Sequence, residues 1–361
     1  MGFHFGDWLA LDNESGDNYK GGTEDGYIAT AYYYFSVSLV ARAAKLLGKT
    51  EDAAYYHRLA DEIRTGLQRE YFTPNGRLAL TTQTAYALAL YMDFAPEESK
   101  PRLAQLLLEK LQAKNGYLQT GFVGTCILNQ VRSDNGHNEM AYKLLLNEEY
   151  PSWLYEVNLG ATTVWERWNS VQPNGTISPT EMNSLSHYAY GSIVGWMYRN
   201  MAGLRLQEEY PGFTHVTIAP QPDYRITSCD MEYRSIAGPY EVHWRVEEDG
   251  SFFLRLRIPF GAEAEVILPN RNAPAIHVDS GIHEFHYMPD VRIRKTYSGQ
   301  SSLAELLETP ETQAVITAYL SEWEAVPLPL REIPLTQLNE TPFSNLTVQQ
   351  LQELEAKLKL L

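Results

Sequence analysis

The chain has 361 residues, 44% of them hydrophobic and 20% charged, and its formal net charge is −16 at pH 7. This length exceeds the ~250–300 residues at which a single core stops growing, so the sequence predicts two or more domains. The negative charge argues against nucleic acid or an anionic membrane as a partner, because both are bound through basic patches.

The two cysteines, Cys126 and Cys229, lie far apart and belong to no Cys-x-x-Cys pair or Cys/His cluster. We therefore expect no structural zinc site, no other metal or cofactor and no disulfide framework, and this cysteine usage fits a reducing cytoplasm. We also expect no signal peptide, because the first residues lack a basic and then an apolar region. No apolar run reaches the ~18–20 residues that a membrane span requires.

Residues 1–26 contain many turn formers, including Gly21-Gly22, and are predicted to form a loop. Apolar residues then recur at helical spacing in segments bounded by glycine, proline or asparagine. Because no strand pattern separates these segments, they indicate an all-α array over residues 1–208. The predicted helices are residues 27–47, 51–71, 82–94, 100–114, 138–146 and 184–204.

Beyond Tyr210-Pro211-Gly212 the apolar pattern changes to a period of two, which is typical of strands with one buried face. Glu248-Asp249-Gly250 lies between two of these runs and is typical of a hairpin turn. The sequence therefore predicts a small antiparallel β-domain over residues 209–290. Its predicted strands are residues 215–219, 240–246, 251–258 and 263–268.

Residues 291–361 are predicted to form a helical extension, with helices at 301–320 and 347–361 around a proline-rich stretch. In the last helix, leucines recur at 3-4-3 spacing, which can mark a coiled coil. A single short segment favours docking on its own protein or a dimer contact instead. The leucines are Leu351, Leu354, Leu358 and Leu361.

The densest group of chemically versatile side chains falls within residues 150–191, which include Glu156, Glu166, Arg167, His187 and three tryptophans. Glu166 stands in the run Trp165-Glu166-Arg167-Trp168. Desolvation beside tryptophan raises the pKa of a carboxyl group, and an adjacent arginine favours its charged form, so the run suits a tuned acid or base. A Glu166–Arg167 ion pair capped by aromatic rings explains the same run equally well.

A second acidic group follows Gly6-Asp7-Trp8. Glycoside hydrolysis with inversion needs two carboxyl groups about 6.5–9.5 Å apart, and spacing along the chain does not show which carboxyls meet. The acidic run is also consistent with a solvated loop or a cation site. Its members are Asp12, Glu14, Asp17, Glu24 and Asp25.

Five blocks of the sequence resemble bacterial α-L-rhamnosidases of glycoside hydrolase family 78 and occur in that family's order over about residues 1–290. The resemblance implies the latter part of an (α/α)6 toroid followed by a β-sandwich, in agreement with the helix-then-strand pattern. The blocks are Gly6-Asp7-Trp8-Leu9, Gln119-Thr120-Gly121-Phe122, Pro151-Ser152-Trp153-Leu154, Ala161-Thr162-Thr163-Val164-Trp165-Glu166-Arg167-Trp168 and Leu185-Ser186-His187-Tyr188-Ala189-Tyr190-Gly191.

The resemblance also implies inverting hydrolysis of terminal α-L-rhamnose from glycosides. By this likeness Glu166 is the general base that activates water, and His187 binds a sugar hydroxyl near that water. Trp8 belongs to an aromatic wall against the methyl face of the sugar. Asp7, Trp153, Trp165 and Trp168 are further candidates for substrate binding, with a purely structural role as the alternative.

The sequence departs from the family's pattern at two points. Ser186 precedes His187, where the family often has asparagine. The family's general acid lies in an Asp-Cys-Pro-x-Arg-x-Glu-type motif upstream of Gly-Asp-Trp, and this sequence contains no such motif. We therefore expect the chain to carry the general-base half of the site and to associate with an N-terminal fragment or with itself.

Two alternatives remain open at this point. In the first, the chain is a non-catalytic fragment, such as a rhamnose-binding or assembly module. In the second, the chain is another (α/α)6 glycosidase, of the trehalase or glucoamylase kind. The second alternative shares the toroid and the paired carboxylates, and fold alone does not decide between them.

Overall fold

The computed structural model describes residues 3–13, 19–295 and 297–361. Glu14 and Asp17, two of the acidic candidates, lie outside these residues. The chain divides into two compact units, Met1–Ile293 and Arg294–Leu361. None of the described helices is long and apolar enough to cross a bilayer.

The first unit begins with helices whose apolar faces form one core, in which Ala85, Leu88 and Leu107 are fully buried. The turn after the first helix contains Gly48 at φ +67°, the left-handed conformation that glycine adopts most readily at a helix end. The helices are α1 (Asp25–Leu46), α2 (Thr50–Tyr71), α3 (Gln83–Tyr91), α4 (Lys100–Gln112), α5 (Phe122–Asp134), α6 (Asn138–Leu146), α7 (Trp153–Asn158) and α8 (Ile193–Trp196), with short helical turns at Glu97–Ser99, Ala189–Ser192 and Met197–Met201.

Three segments differ from the sequence-based helix predictions. The short helix α7 was not predicted. Helix α5 was not predicted, because its first turn contains Gly121 and Gly124 and its capping group comes from a distant part of the chain. Residues 184–188 were predicted to be helical, but they form an irregular segment whose backbone bonds to residues 164–166. In the latter two segments, contacts between distant residues override the local pattern.

The β-domain that follows consists of two four-stranded sheets with the orders β1-β2-β6-β7 and β3-β4-β5-β8. Alternate side chains of β4 and β5 are buried in its core, so the predicted period of two is confirmed. The predicted antiparallel pairing is confirmed for five of the six strand pairs, and β2 and β6 pair in parallel. The strands are β1 (Leu204–Leu206), β2 (His215–Ile218), β3 (Ser228–Ser235), β4 (Gly238–Val246), β5 (Phe252–Ile258), β6 (Glu263–Val266), β7 (Ile276–Val278) and β8 (Gly281–Tyr287).

The hairpin turn between β4 and β5 is confirmed. Gly250 has φ +87°, and Glu247 N–H donates to the Ser251 carbonyl at 2.8 Å. Glycine is favoured there because a side chain is strained at positive φ.

The second unit has its own apolar core, in which Leu354 and Leu358 are 1% exposed. The leucines of the last helix therefore pack inside this unit, as the docking alternative predicts. The predicted helix at 301–320 is divided, because Thr309 caps a new helix that begins at Pro310. The helices of the second unit are α9 (Leu303–Leu306), α10 (Pro310–Thr317), α11 (Leu328–Arg331), α12 (Leu335–Leu338) and α13 (Val348–Leu358).

Candidate active site

The loop that contains Trp8 is fastened to the segment leading into α5. Phe122 N–H donates to the Trp8 carbonyl at 2.9 Å, and Leu11 N–H donates to the Gln119 carbonyl at 2.8 Å. A Cβ atom on Gly121 would collide with the Trp8 carbonyl oxygen, so this close approach requires glycine. The two blocks Gly6-Asp7-Trp8 and Gln119-Thr120-Gly121-Phe122 are therefore brought together by backbone contact.

The buried side chain of Asp7 holds these two segments together through hydrogen bonds. Its carboxylate is fully buried and accepts hydrogen bonds from the backbone N–H groups of Gly121 at 2.9 Å, Val123 at 2.8 Å and Gly124 at 3.2 Å. The Thr84 hydroxyl also donates to it. Burial raises the pKa of the Asp7 carboxyl, and these four donors oppose that rise. Asp7 thus caps the N-terminus of α5 from a distant loop.

A second pair of segments holds Glu166 and His187. Glu166 N–H donates to the Ser184 carbonyl at 2.9 Å, and His187 N–H donates to the Val164 carbonyl at 2.9 Å. Ser184 N–H in turn donates to Glu166 Oε2 at 3.1 Å. These bonds align the two segments, so the blocks that contain Glu166 and His187 lie side by side although twenty residues separate them.

Aromatic contacts join the two pairs of segments. Phe122 stacks on the His187 ring, with ring centroids 4.9 Å apart. On the other side, Tyr19 contacts Trp8 at 5.6 Å between centroids, and the Arg167 guanidinium lies 5.6 Å from the Tyr19 ring. The structure therefore brings the predicted residues Trp8, Glu166 and His187 to one region.

The carboxylate of Glu166 is partly buried, and its partner is the Ser184 N–H group. Within the described residues, no ion pair joins it to Arg167, whose guanidinium faces Tyr19 and the Glu181 carbonyl oxygen. The ion-pair alternative for the Trp165-Glu166-Arg167-Trp168 run is therefore wrong. A partly exposed carboxylate without a cationic partner retains lone pairs that can accept a proton from water.

Four other candidates for sugar binding lie in the interior. Trp153, Trp165 and Trp168 are 8%, 3% and 2% exposed, and Asp7 is 0% exposed. Trp168 stacks on Tyr190 at 4.0 Å between centroids, and the Trp153 indole N–H donates to the Tyr190 carbonyl at 2.9 Å. These four side chains are therefore buried in this structure, and their role in sugar binding stays a prediction.

Three residues at the site were not among the sequence-based candidates for sugar binding or catalysis. Tyr19 and Phe122 are recognised only from their contacts with Trp8, Arg167 and His187. Glu156 belongs to the acid-rich block but has no motif of its own. It is 3% exposed, and its Oε2 atom accepts a hydrogen bond from Trp165 N–H at 3.3 Å.

A tight turn at the end of α7 directs the chain toward Glu166. Gly160 has φ +86°, Ala161 N–H donates to the Glu156 carbonyl at 3.0 Å, and Gly160 N–H donates to the Val157 carbonyl at 2.9 Å. These two bonds form a Schellman motif, which reverses the chain after a helix. The turn returns residues 161–165 past the side chain of Glu156.

We expect Gly160→Ala to lower the free energy of unfolding by about 1 kcal/mol, because an L side chain is strained at positive φ. Apart from Gly160 and its two chain neighbours, no atom of the described residues lies within 4 Å of the added Cβ, so backbone strain accounts for the effect. The measurement is the shift of the urea midpoint. Gly195→Ala in α8 is the control, since its Cβ is equally free and its φ is helical, and it should be neutral or stabilising. Equal effects of the two substitutions would contradict the strain argument.

Comparison with known families places this geometry in context. Residues 1–201 match the profile of the bacterial α-L-rhamnosidase six-hairpin glycosidase domain, and residues 203–283 match that of the bacterial α-L-rhamnosidase C-terminal domain. The order of these two profiles agrees with the helical part of the first unit and the β-domain that follows it. The chain belongs to the bacterial α-L-rhamnosidase family.

Individual relatives agree with this assignment. An α-L-rhamnosidase of Formosa agariphila is 38% identical over 278 residues, which cover 76% of this chain and 30% of that protein. One from Streptomyces avermitilis is 40% identical over 265 residues, which cover 73% of this chain and 24% of that protein.

Solved structures show the same similarity. The Streptomyces avermitilis α-L-rhamnosidase complexed with L-rhamnose superposes with a TM-score of 0.71 at 37% identity, over 78% of this chain and 28% of that one. The native α-L-rhamnosidase from Aspergillus terreus superposes with a TM-score of 0.76 at 31% identity, over 81% of this chain and 34% of that one. The chain thus spans between a quarter and a third of the length of these relatives.

Proposed function

We propose that this chain supplies the general-base half of an α-L-rhamnosidase site that hydrolyses terminal α-L-rhamnose with inversion. One observation carries the proposal: the Glu166 carboxylate is partly buried, has no cationic partner among the described residues and lies beside the segment of His187. A carboxylate of this kind removes a proton from water as the water oxygen attacks the anomeric carbon.

Inversion also needs an acid on the opposite face of the sugar, which protonates the departing glycosidic oxygen as its bond to the anomeric carbon breaks. Asp12, Glu24 and Asp25 are described acidic candidates of the N-terminal loop and the start of α1, and each has a local partner. The Tyr71 hydroxyl donates to Glu24 at 3.1 Å. Asp12 accepts the Gly22 N–H at 2.8 Å, and Asp25 is paired with Lys20 at 2.8 Å. The proposal therefore assigns the acid to another polypeptide segment.

His187 and Trp8 have supporting roles in this proposal. The His187 ring stacks on Phe122 and its Nδ1 atom accepts the Ala189 N–H at 3.3 Å, so Nε2 is the ring atom that binds a sugar hydroxyl near the water that Glu166 activates. Trp8 belongs to a row of aromatic rings, since Phe5 contacts it at 5.3 Å and Tyr19 contacts it at 5.6 Å. Such a row offers an apolar surface to the methyl-bearing face of rhamnose.

The helical part of the first unit also supports the proposal that another polypeptide segment completes the site. Six hairpins require twelve helices, and eight α-helices are formed by the described part of residues 1–201. Large apolar side chains are exposed on and near α1 and α8. These include Tyr33 at 52%, Val40 at 45%, Tyr188 at 86% and Val194 at 47%.

We expect this chain to associate, because large apolar side chains exposed on helices favour a partner or self-association. The partner in this proposal is an N-terminal rhamnosidase segment or a second copy of the chain. Static light scattering from 1 to about 100 μM should give a mass above that of one chain or a rise with concentration. A constant monomeric mass over this range would contradict the expectation.

The activity itself is tested with an aryl α-L-rhamnoside. The chain is assayed alone and mixed with the N-terminal region of a full-length family member, and the anomer first released is identified by proton NMR. The proposal expects hydrolysis in the mixture and initial release of the inverted anomer. Initial release of the retained anomer would overturn the inverting role of Glu166.

The second candidate function is rhamnose binding without turnover, which is favoured by the absence of the general-acid motif from the sequence. Calorimetry with L-rhamnose would show binding, while neither the chain nor the mixture would hydrolyse the glycoside. Membership of the α-L-rhamnosidase family counts against the third alternative, a trehalase-like or glucoamylase-like enzyme.

A further inference from the structure

The side chain of Glu156 is the least readily explained carboxylate in the first unit. It lies on α7, is 3% exposed and has neither an arginine nor a lysine as an ion-pair partner among the described residues. Its Oε2 atom accepts the Trp165 N–H at 3.3 Å, and its Oε1 atom has no hydrogen-bond partner among the described residues. A buried carboxyl group with so few hydrogen bonds lowers the stability of a fold. Its presence therefore suggests a functional role.

Glu156 contacts both ends of the segment that leads to Glu166. Its backbone carbonyl accepts the N–H of Ala161, where the segment begins, and its side chain accepts the N–H of Trp165, where the segment ends. The next residue, Glu166, is bonded to Ser184 through its own N–H and its side chain. The backbone on either side of the Trp165–Glu166 peptide is therefore held by two acceptors, Glu156 Oε2 and the Ser184 carbonyl.

We propose that Glu156 is a positioning residue for Glu166, and that loss of the proton from its buried carboxyl displaces the Trp165–Glu166 backbone. The catalytic part of this statement rests on the function proposed above. The physical reason is that an ionised carboxylate in an apolar interior draws water or moves toward it, and the peptide bonded to that carboxylate moves with it.

Burial raises the pKa of the Glu156 carboxyl to about 8, and only the Trp165 N–H opposes this rise. The group is therefore a neutral acid at neutral pH and ionises in mildly alkaline solution. The nearby phenols do not titrate in that range, because burial raises the pKa of Tyr190 well above its ordinary value and also raises that of Tyr150. Arg167 is the nearby cation, and its charge acts on Tyr190.

One peptide bond reports directly on this coupling. Val164-Trp165 is the only Val-Trp pair in the sequence. Labelling valine with ¹³C at the carbonyl and tryptophan with ¹⁵N therefore selects the Trp165 amide in a two-dimensional NMR spectrum. We expect this amide to shift between pH 6 and 9.5 with a midpoint at about 8.

Two substitutions separate the roles of the acceptor and of the proton. Glu156→Gln keeps an acceptor oxygen and cannot ionise, so at pH 6.5 its Trp165 amide should resemble that of the parent and should not titrate. Glu156→Met has a similar volume and no acceptor, so its Trp165 amide should be shifted at every pH. The ¹⁵N signal of Trp244, in the core of the β-domain, is the internal reference.

A Trp165 amide that does not change with pH in the parent chain would overturn the proposal. The same titration in Glu156→Gln would also overturn it, and would assign the change to another group. These outcomes do not depend on hydrolysis, so they are distinct from a failure of the proposed function. In an active mixture, Glu156→Gln should abolish an alkaline decline of kcat with a midpoint near pH 8 and leave KM unchanged at pH 6.5.

Discussion

Replacement of Glu166 by glutamine is expected to lower kcat of the active mixture by about 10²–10⁴-fold, because removal of a general base costs this much. Glutamine has nearly the same shape and still accepts the Ser184 N–H through its amide oxygen, so the segment pairing of residues 164–166 with 184–187 should persist. KM should change little, since the proposed role is confined to the reacting water. The measurement is steady-state hydrolysis of an aryl α-L-rhamnoside.

The matched control is Glu148→Gln, an identical chemical change at an exposed position between α6 and α7. It should leave kcat and KM within experimental error. Normal turnover by the Glu166→Gln variant would remove Glu166 from the catalytic step. Added azide offers a second check, since a small anion can replace a missing carboxylate base and should restore part of the rate in Glu166→Gln alone.

The sequence predicted helices α1–α4 and α6 and four of the eight described strands, because their apolar periodicity reflects burial in the structure. Helix α5 was not predicted, because no local sequence signal marks its first residue. Gly121 and Gly124 are poor helix formers, and the carboxylate that caps this end belongs to Asp7, more than a hundred residues away. A cap from such a distance is a tertiary interaction, which single-sequence patterns do not contain.

Part of the candidate site was also predicted from the sequence. The resemblance to the rhamnosidase family implied that Glu166 and His187 belong to one site, and backbone pairing places their segments side by side. The tryptophans beside Glu166 were harder to place, because an aromatic residue near a carboxylate is typical both of a sugar platform and of a core. Burial separates the two cases: Trp8 is partly exposed, whereas Trp165 and Trp168 lie in the interior.

We expect Asp7→Ala to be among the most destabilising single substitutions in the first unit, at about 3 kcal/mol or more. It leaves the N–H groups of Gly121, Val123 and Gly124 and the Thr84 hydroxyl without their acceptor in a buried place. Hydrogen bonds to a charged group contribute about 1.5–3 kcal/mol each, and loss of an ordinary N-cap costs about 0.5–2 kcal/mol. Urea unfolding followed by circular dichroism at 222 nm measures the change.

Asp61→Ala provides the control for this substitution. Asp61 is 66% exposed and pairs with Arg64 on the surface of α2, and such a pair contributes about 0–1 kcal/mol. The Asp7 variant should in addition weaken rhamnose binding at temperatures where it is still folded, because the first turn of α5 positions Phe122 against the His187 ring. An Asp7→Ala chain as stable as the Asp61→Ala chain would show that α5 does not depend on its distant cap, and unaltered rhamnose binding by a measurably destabilised variant would separate the cap from the sugar site.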